Sequence, residues 1–162
     1  MARKLALVLA TGVVAGLVIG LVLGGGVGSA AGGKPPQTIV YVDKTITSHN
    51  VDLGQKGFTP GDEFVGHDDL LQNGKVVGKL AVMCVATDVD KAHHTATNLC
   101  TAVARFAGGQ LDLAARLVFS NNTNSFKVGV TGGTDAYRNA SGFAVVKSIK
   151  NNVSRLTLYL ST

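Results

Sequence analysis

The part of the sequence that most constrains the fold is a glycine-marked segment between two apolar runs, at residues 128–142. Apolar side chains recur at every second position up to Val130, which is typical of a β-strand. The pair Gly132-Gly133 ends this pattern, and glycine supplies the positive φ angles or close backbone approach that a sharp corner needs. A polar turn and a second apolar run, residues 143–149, follow. This segment therefore predicts a strand, a structured loop and another strand.

The rest of the chain after residue 36 repeats strand patterns and short turns. Residues 111–119 place apolar side chains at every second position, with Asp112 and Arg116 between them, and Asn73-Gly74 is a strong hairpin signal. No amphipathic stretch of helical length occurs in this region. The pattern predicts an all-β fold, an eight-stranded antiparallel up-and-down barrel over residues 37–162, closed so that no sheet edge is exposed. Such a barrel encloses a lumen that side chains fill or that holds one small ligand.

Residues 1–30 have the layout of a secretory signal peptide, and residues 31–36 form a short linker. Arg3 and Lys4 supply a positive start, no charged residue occurs between positions 5 and 23, and small side chains follow. We therefore predict a secreted, extracellular protein. A retained N-terminal membrane anchor is the alternative, because the apolar run is close to the length that spans a bilayer. Only in that case do we expect attachment to a membrane.

The distribution of charge argues against nucleic-acid binding. The formal net charge is +5, and Arg3 and Lys4 contribute two of these charges from the predicted signal peptide. The other basic residues are scattered, without the run or stripe that follows a phosphate backbone. We therefore expect no nucleic-acid partner.

The segment after Thr131 reads G-G-T-x-x-Y-x-x-A-x-G, and this pattern resembles the signature of the allene oxide cyclase and dirigent protein superfamily. Four weaker matches support this resemblance. Residues 39–42 resemble the family's opening strand, residues 61–62 the Gly-Asp before its second strand, residues 78–85 its third strand with a cysteine, and residues 156–160 its closing strand. The resemblance implies a barrel of the allene oxide cyclase type, often trimeric, with an elongated lumen. We expect a homotrimer on this ground alone.

What the resemblance implies about function is control of a reactive ligand by shape. Plant cyclases of the family close an allene oxide into a cyclopentenone, and dirigent relatives hold phenoxy radicals so that their coupling is stereoselective. We therefore expect a barrel that binds a small apolar or phenolic ligand and guides its cyclisation or stereoselective coupling by selecting one conformer. A non-catalytic secreted barrel with a binding or structural role is the alternative. We expect no cofactor.

One departure from the family concerns the opening strand. The cyclases carry a glutamate directly after their Val-Tyr pair, and Val42 occupies that position here. Asp43 comes next, but one step along a strand points a side chain to the opposite face. The pattern does not decide which of Tyr41, Asp43 and Asp68 face the lumen. Whether the protein is an enzyme is left open, and a cyclase-like isomerase or a dirigent-type activity is what the resemblance implies if it is.

Four side chains are candidate ligand contacts: Tyr41, Cys84, Tyr137 and Arg138. The resemblance suggests Cys84 as a thiol in the lumen. Tyr137 and Arg138 lie in the glycine-marked loop, where a phenol and a guanidinium at a barrel mouth can bind an oxygenated ligand. The structural alternative is that Tyr137 caps the barrel end and Arg138 pairs with an acid, because a glycine-rich loop is shaped mainly by its backbone.

Cys84 and Cys100 are the two cysteines of the chain. An exported chain meets oxidising conditions, so an even count predicts one disulfide. If the barrel follows chain order, the two cysteines lie on neighbouring antiparallel strands joined by a loop at residues 87–97, where directly opposite residues are close enough to bond. We predict a structural Cys84–Cys100 disulfide without a catalytic role, and two free thiols would restore the alternative of a lumen thiol.

Four polar residues, Asp88, Asp90, His93 and His94, include the types that bind metals. Their spacing matches no ordered metal motif. We therefore predict a solvated hairpin loop and no metal site.

Asp112 and Arg116 lie four apart on one strand, on the face opposite the leucines. If the leucines pack outside, the pair faces the lumen and needs mutual hydrogen bonds. The reverse assignment makes it a surface pair that contributes little to stability.

Overall fold

The computed structural model describes residues 36–161, so the predicted signal peptide and nearly all of the linker lie outside the described residues. The described chain forms eight strands and one 3-10 turn: β1 Gln37–Val51, β2 Glu63–Gln72, β3 Lys75–Asp90, β4 Thr95–Phe106, β5 Gly109–Ser120, β6 Ser125–Gly133, the turn Asp135–Tyr137, β7 Ser141–Lys150 and β8 Val153–Ser161. Each strand pairs antiparallel with the next, and β8 pairs with β1 to close the barrel. The predicted eight-stranded antiparallel barrel is confirmed. Among the described residues, no helix is long and apolar enough to cross a membrane.

The hairpin of β3 and β4 is longer than its sequence pattern predicts. The pattern predicts a loop over residues 87–97, but the ladder continues until Asp90 pairs with Thr95, and only the four residues between them form the turn. Threonine and valine side chains in this segment favour extended backbone, and this preference outweighs its polar character. The Asp90 carboxylate accepts hydrogen bonds from the backbone N–H groups of Ala92 and His93, each at 3.0 Å. These contacts are exposed, as in a solvated turn.

Alternation along each strand separates a lumen face from an outer face. On β5, Leu111, Leu113 and Leu117 are buried, whereas the Asp112 and Arg116 side chains lie on the outer face. The lumen alternative for Asp112 and Arg116 is therefore wrong: both side chains lie on the outer face, and among residues 36–161 they form no ion pair with each other. The reason is that burial of three leucines contributes far more than an ion pair on the same strand.

The two ends of the barrel differ in how the chain crosses them. The β2–β3 turn, the β4–β5 turn and the β6–β7 loop lie at one end, which we call the closed end. The β1–β2 loop, residues 52–62, and the three other turns lie at the opposite end, which we call the loop end. The larger core cluster, which includes Leu70, Leu158 and Leu160, fills the lumen towards the closed end.

The glycine-marked loop crosses the closed end because two glycines admit neighbouring backbone. At Gly133 a Cβ atom would lie 2.5 Å from the carbonyl oxygen of Gln110, and at Gly142 it would overlap the carbonyl of Tyr159. Gly142 also has a φ angle of +129°, which L side chains rarely adopt. The backbone path that these glycines permit brings the ring of Tyr137 over the barrel end.

Three aromatic side chains, Tyr41, Phe106 and Tyr137, form what we call the aromatic seal of the closed end. Tyr41 stacks on Phe106 with ring centroids 5.2 Å apart, and Phe106 contacts Tyr137 at 5.7 Å. Tyr137 thus caps the barrel, as its structural interpretation predicts. Arg138 is exposed to solvent next to the seal.

Candidate ligand cavity and acid pair

A cavity of about 450 Å³, which we call the lumen cavity, occupies the barrel between the aromatic seal and the loop end. Its volume lies within the range of small-molecule sites. Its lining consists of aliphatic side chains, phenylalanines, the two cysteines and a few polar groups: Leu80, Val82, Ala96, Ala102, Leu113, Leu117, Val128, Val146 and Leu156; Phe58, Phe64, Phe119 and Phe126; Cys84 and Cys100; Asp43, Thr45, Asn50, Asp68, Asn98, Thr101 and Ser154. An apolar wall with few polar groups is typical of a site that binds one organic molecule.

The wall of the lumen cavity contains the predicted disulfide. Cys84 and Cys100 are directly opposite each other in the β3–β4 register, with Cα atoms 4.0 Å apart, and they are bonded. Both side chains are buried and pack with Leu117. The predicted pairing is confirmed, and none of the described cysteines is a free thiol. Cys84 therefore lines the cavity as half of a disulfide and not as a thiol.

Four phenylalanines line the cavity at the loop end: Phe58, Phe64, Phe119 and Phe126. We call them the phenylalanine collar. Phe119 and Phe126 meet edge to face, with ring centroids 5.7 Å apart. Phe58, from the β1–β2 loop, is 48% exposed although it lines the cavity. The cavity wall therefore reaches solvent at Phe58.

Asp62 holds the β1–β2 loop in place. Its carboxylate accepts hydrogen bonds from the backbone N–H groups of Leu53 and Thr59, both at 2.7 Å. Its own backbone carbonyl accepts a hydrogen bond from the N–H of Ala86, on β3, at 2.8 Å. The backbone bonds from Leu53 and Thr59 lower the pKa of Asp62, because they stabilise the charged carboxylate. The position of Phe58 at the cavity thus depends on an acid four residues later in the chain.

Two buried acids, Asp43 on β1 and Asp68 on β2, lie on the lumen face; we call them the acid pair. Asp68 is opposite Thr45 in the β1–β2 register and Asp43 is opposite Leu70, so the two acids are diagonal neighbours across the ladder. Asp43 is 8% exposed and Asp68 is 6% exposed. Within residues 36–161, the Oδ1 atom of each acid is buried without a hydrogen-bond partner. This is unusual, because buried carboxyl oxygens are normally satisfied.

The electrostatics of the acid pair follow from this burial. Desolvation, and then the nearby charge of Asp68, raise the pKa of Asp43 to about 7. Burial also raises the pKa of Asp68, and the neighbouring Thr45 hydroxyl opposes part of that rise. Near neutral pH the two carboxyl groups therefore share protons, and their titration belongs to the pair. The site can then offer a proton donor and a proton acceptor side by side.

The sequence pattern did not decide which face of β1 carries Asp43 into the barrel. Val42 is 44% exposed and points outward, so the step to Asp43 turns that carboxyl group into the lumen, on the same face as Tyr41. Val40 is likewise exposed. Because β1 carries apolar side chains on both faces, its alternation gave no sign of which face was buried. The sequence pattern therefore named both acids but left their face open, and it did not predict that they form a pair in the lumen.

The four predicted ligand contacts occupy different places. Cys84 lines the lumen cavity, whereas Tyr41 and Tyr137 belong to the aromatic seal and Arg138 is exposed. Burial, and to a smaller extent Tyr137, raise the pKa of Tyr41, so its phenol stays neutral. The structure does not bring these side chains together around the cavity. Ligand binding by any of these four side chains stays a prediction.

No protein-family model and no curated protein matches this chain. Its barrel is similar to a solved structure of pyocyanin demethylase, with 24% identity over 76% of this chain and 99% of that one, and a TM-score of 0.67. It is also similar to the Diels-Alderase AbmU from Streptomyces koyangensis, with 10% identity over 78% of this chain and 68% of that one, and a TM-score of 0.63. A third similar structure is the pterocarpan synthase dirigent protein PsPTS1, with 15% identity over 80% of this chain and 95% of that one, and a TM-score of 0.59. At such identities the likeness concerns the fold alone, and the chain has the same kind of barrel as these three proteins.

Proposed function

We propose that this protein binds one small apolar or phenolic molecule in the lumen cavity and guides its cyclisation or stereoselective coupling. The observation that carries this proposal is a buried acid pair in the wall of a largely apolar cavity of about 450 Å³. The fold adds support, because proteins described as Diels-Alderases and as a pterocarpan synthase dirigent protein have similar barrels.

The proposed mechanism begins with the shape of the cavity. Rigid strands on all sides restrict a flexible ligand to few conformers, and selecting the reactive one removes much of the entropic barrier to ring closure. The described cysteines are bonded to each other, so the cavity wall offers no thiol nucleophile. The protein therefore acts by positioning and by proton transfer, not through a covalent cysteine intermediate.

The acid pair supplies the proton chemistry in this mechanism. With a pKa of about 7, Asp43 is partly protonated at neutral pH and can donate to a ligand oxygen on which negative charge develops. Asp68 can accept a proton or a hydrogen bond from a neighbouring ligand group. Two carboxyl groups in an apolar site can thus divide the roles of acid and base.

The proposal is tested by binding of 1-naphthol, a small aromatic phenol whose fluorescence reports its surroundings. Ala102→Phe fills the lumen on β4, and Val103→Phe adds the same side chain to the outer face one residue later. We expect the wild type and Val103→Phe to bind and Ala102→Phe to lose most of its affinity. Equal binding by Ala102→Phe would place the site outside the lumen and contradict the proposal.

A non-catalytic binding barrel is the second candidate, and the closed disulfide favours it because it removes the cavity's most nucleophilic group. The two candidates differ in what Asp43 does. If Asp43 donates a proton, Asp43→Asn lowers kcat for a cyclisation substrate while binding persists. If the barrel only binds, the variant changes affinity and no turnover is found in either protein.

Export and assembly are further parts of the proposal. The disulfide supports export, because disulfides persist in oxidising compartments. Mass spectrometry of the native protein is expected to find a new N-terminus near Ala31, and an intact Met1 in a membrane fraction would support the anchor alternative.

A homotrimer is supported by apolar side chains exposed on the outer face of β3 and β4, such as Met83 and Leu99. Sedimentation equilibrium tests it, and a monomer would contradict it.

A further inference from the structure

When the acid pair is ionised, the lumen cavity carries negative charge that no described side chain balances. Its lining contains two acids, Asp43 and Asp68, and no lysine, arginine or histidine. Both acids line the cavity and are more than nine-tenths buried, and within residues 36–161 the Oδ1 atom of each has no hydrogen-bond partner. A buried carboxylate is costly unless a partner compensates it. Without a ligand, the protons shared by the acid pair reduce this cost. When the pair is ionised, a positively charged ligand can compensate it.

The groups packed around the acid pair leave this imbalance in place. Thr45 and Ser154 contribute neutral hydroxyls to the cavity lining. Lys44 and Arg155 alternate with the lumen-facing residues of β1 and β8 and are exposed on the outer face. The remaining neighbours that influence Asp68 are His67 and Asp69, which flank it on the outer side of β2.

The pKa of Asp68 is lowered by His67 and raised by Asp69, so the effects of these two neighbours oppose each other. Neither residue lines the lumen cavity. The charge within the cavity is therefore set by the acid pair itself.

A metal ion is a poor candidate for the missing positive charge. Calcium takes six to eight oxygen ligands, and magnesium needs near-octahedral coordination. Among the described residues, no group of three or more histidines, cysteines or acids is placed to hold an ion. Two carboxyl groups in an apolar cavity suit an organic cation better, because its charge is spread over a body that the apolar wall can bury.

The phenylalanine collar indicates the shape of that organic cation. Phe64, Phe119 and Phe126 present rings to the cavity at the loop end, away from the acid pair. Aromatic rings stack with planar aromatic ligands, and their faces attract cations. An organic cation with a planar aromatic body has a charged group that suits the acid pair and rings that suit the collar.

We infer that the lumen cavity takes a planar aromatic cation, such as an N-alkylated nitrogen heterocycle, with its charged nitrogen at Asp43 and Asp68 and its rings in the phenylalanine collar. This inference rests on the proposed lumen site and extends its ligands from apolar and phenolic molecules to aromatic cations. A cation and a neutral ligand respond to pH in opposite ways at this site. A cation binds best when the acid pair is ionised, so its affinity rises as the pH rises through about 7. A neutral oxygen-bearing ligand that accepts a hydrogen bond from protonated Asp43 loses affinity over the same interval.

The test compares 1-methylquinolinium with 1-methylnaphthalene, which has the same shape and no charge. Calorimetric titrations of the full-length protein at pH 5.5 and pH 8.5 give the affinities. We expect the cation to bind at least about tenfold more tightly than the hydrocarbon at pH 8.5, and this preference to fall by about tenfold or more at pH 5.5. The double variant Asp43→Asn/Asp68→Asn should lose the preference but still bind 1-methylnaphthalene, which shows that its lumen is intact. Asp112→Asn, an acid-to-amide change on the outer face, should behave as the wild type.

Each remaining outcome overturns a defined part of the account. If the wild type binds 1-methylnaphthalene as tightly as the cation at pH 8.5, the inference fails and the proposed lumen site stands. If it binds neither probe, both the inference and the proposed function fail. If the double variant keeps the cation preference, the charge that binds the cation lies elsewhere and the inference fails.

Discussion

Asp43 and Asp68 are diagonal neighbours on adjacent strands, and both direct their carboxyl groups into the same apolar lumen. Their burial raises both pKa values, that of Asp43 to about 7. Such an arrangement costs folding free energy whenever the groups ionise. We attribute its presence to ligand chemistry, because neither acid forms an ion pair within the described chain.

The acid pair predicts an unusual dependence of stability on pH. Because folding raises the pKa of Asp43, the folded state keeps a proton that the unfolded state releases above about pH 4. The free energy of unfolding should therefore fall as the pH rises from about 4 to about 7, by about 1.4 kcal/mol for each unit of pKa difference. Asp68 acts in the same direction. The pKa values of Asp62 and Asp90 are lowered, so the stability that they add is lost only at more acidic pH.

Urea unfolding at pH 5 and pH 8 measures this dependence. Asp43→Asn should flatten the slope and make the protein more stable than the wild type at pH 8, because a neutral amide replaces a buried charge. Asp112→Asn on the outer face should leave the slope unchanged. A wild type that gains stability between pH 5 and pH 8 would contradict the raised pKa.

Removing the disulfide should weaken the barrel without changing its topology. Cys84 and Cys100 are separated by 16 positions in the chain, and cross-linking a loop of that length stabilises a fold by about 3 kcal/mol in the chain-entropy model. The double variant Cys84→Ala/Cys100→Ala should lose an amount of that order in urea unfolding. Thiol titration of the unfolded, unreduced wild type should find no free thiol, and two free thiols would show that the bond is not formed.

Two glycines on neighbouring strands should respond differently to alanine. Gly142→Ala requires a positive φ angle and forces the new Cβ into the Tyr159 carbonyl, so it should destabilise the protein by well over about 1 kcal/mol. Gly129→Ala places its Cβ 3.5 Å from the Ala114 carbonyl oxygen, an ordinary contact. Thermal unfolding should therefore separate the two variants clearly. Equal melting temperatures would mean that the corner at Gly142 is not built as described.

Asp62 should control the β1–β2 loop more than the barrel. Asp62→Ala removes the acceptor of two backbone hydrogen bonds, so the amides of Leu53 and Thr59 should exchange with solvent faster. Asp52→Ala is the control, because Asp52 accepts one longer, exposed bond, from Gly57 at 3.2 Å. Hydrogen exchange in the strands should be similar in both variants. Unchanged exchange at Leu53 and Thr59 in Asp62→Ala would contradict this role.

The strands, their order and the disulfide could be predicted because each depends on local signals. Alternation of apolar and polar residues marks β5, and Asn73-Gly74 marks a hairpin. The two cysteines of the chain lie in neighbouring strands and can pair only with each other. The acid pair could not be predicted, because it depends on which face of β1 closes inward, and valines at 40 and 42 made that strand apolar on both faces. The phenylalanine collar was also hidden, since its members come from β2, β5, β6 and a loop that meet only when the barrel closes.

The central claim is that a ligand sits inside the barrel, and intermolecular NOEs in the NMR spectrum of the 1-naphthol complex test it most directly. We expect NOEs from the naphthol protons to the methyl groups of Leu113, Leu117 and Val128, which line the lumen cavity. We expect none to Val42 and Leu99, whose side chains are exposed on the outer face. NOEs confined to the outer methyl groups would show that the ligand binds the barrel surface and would contradict the account.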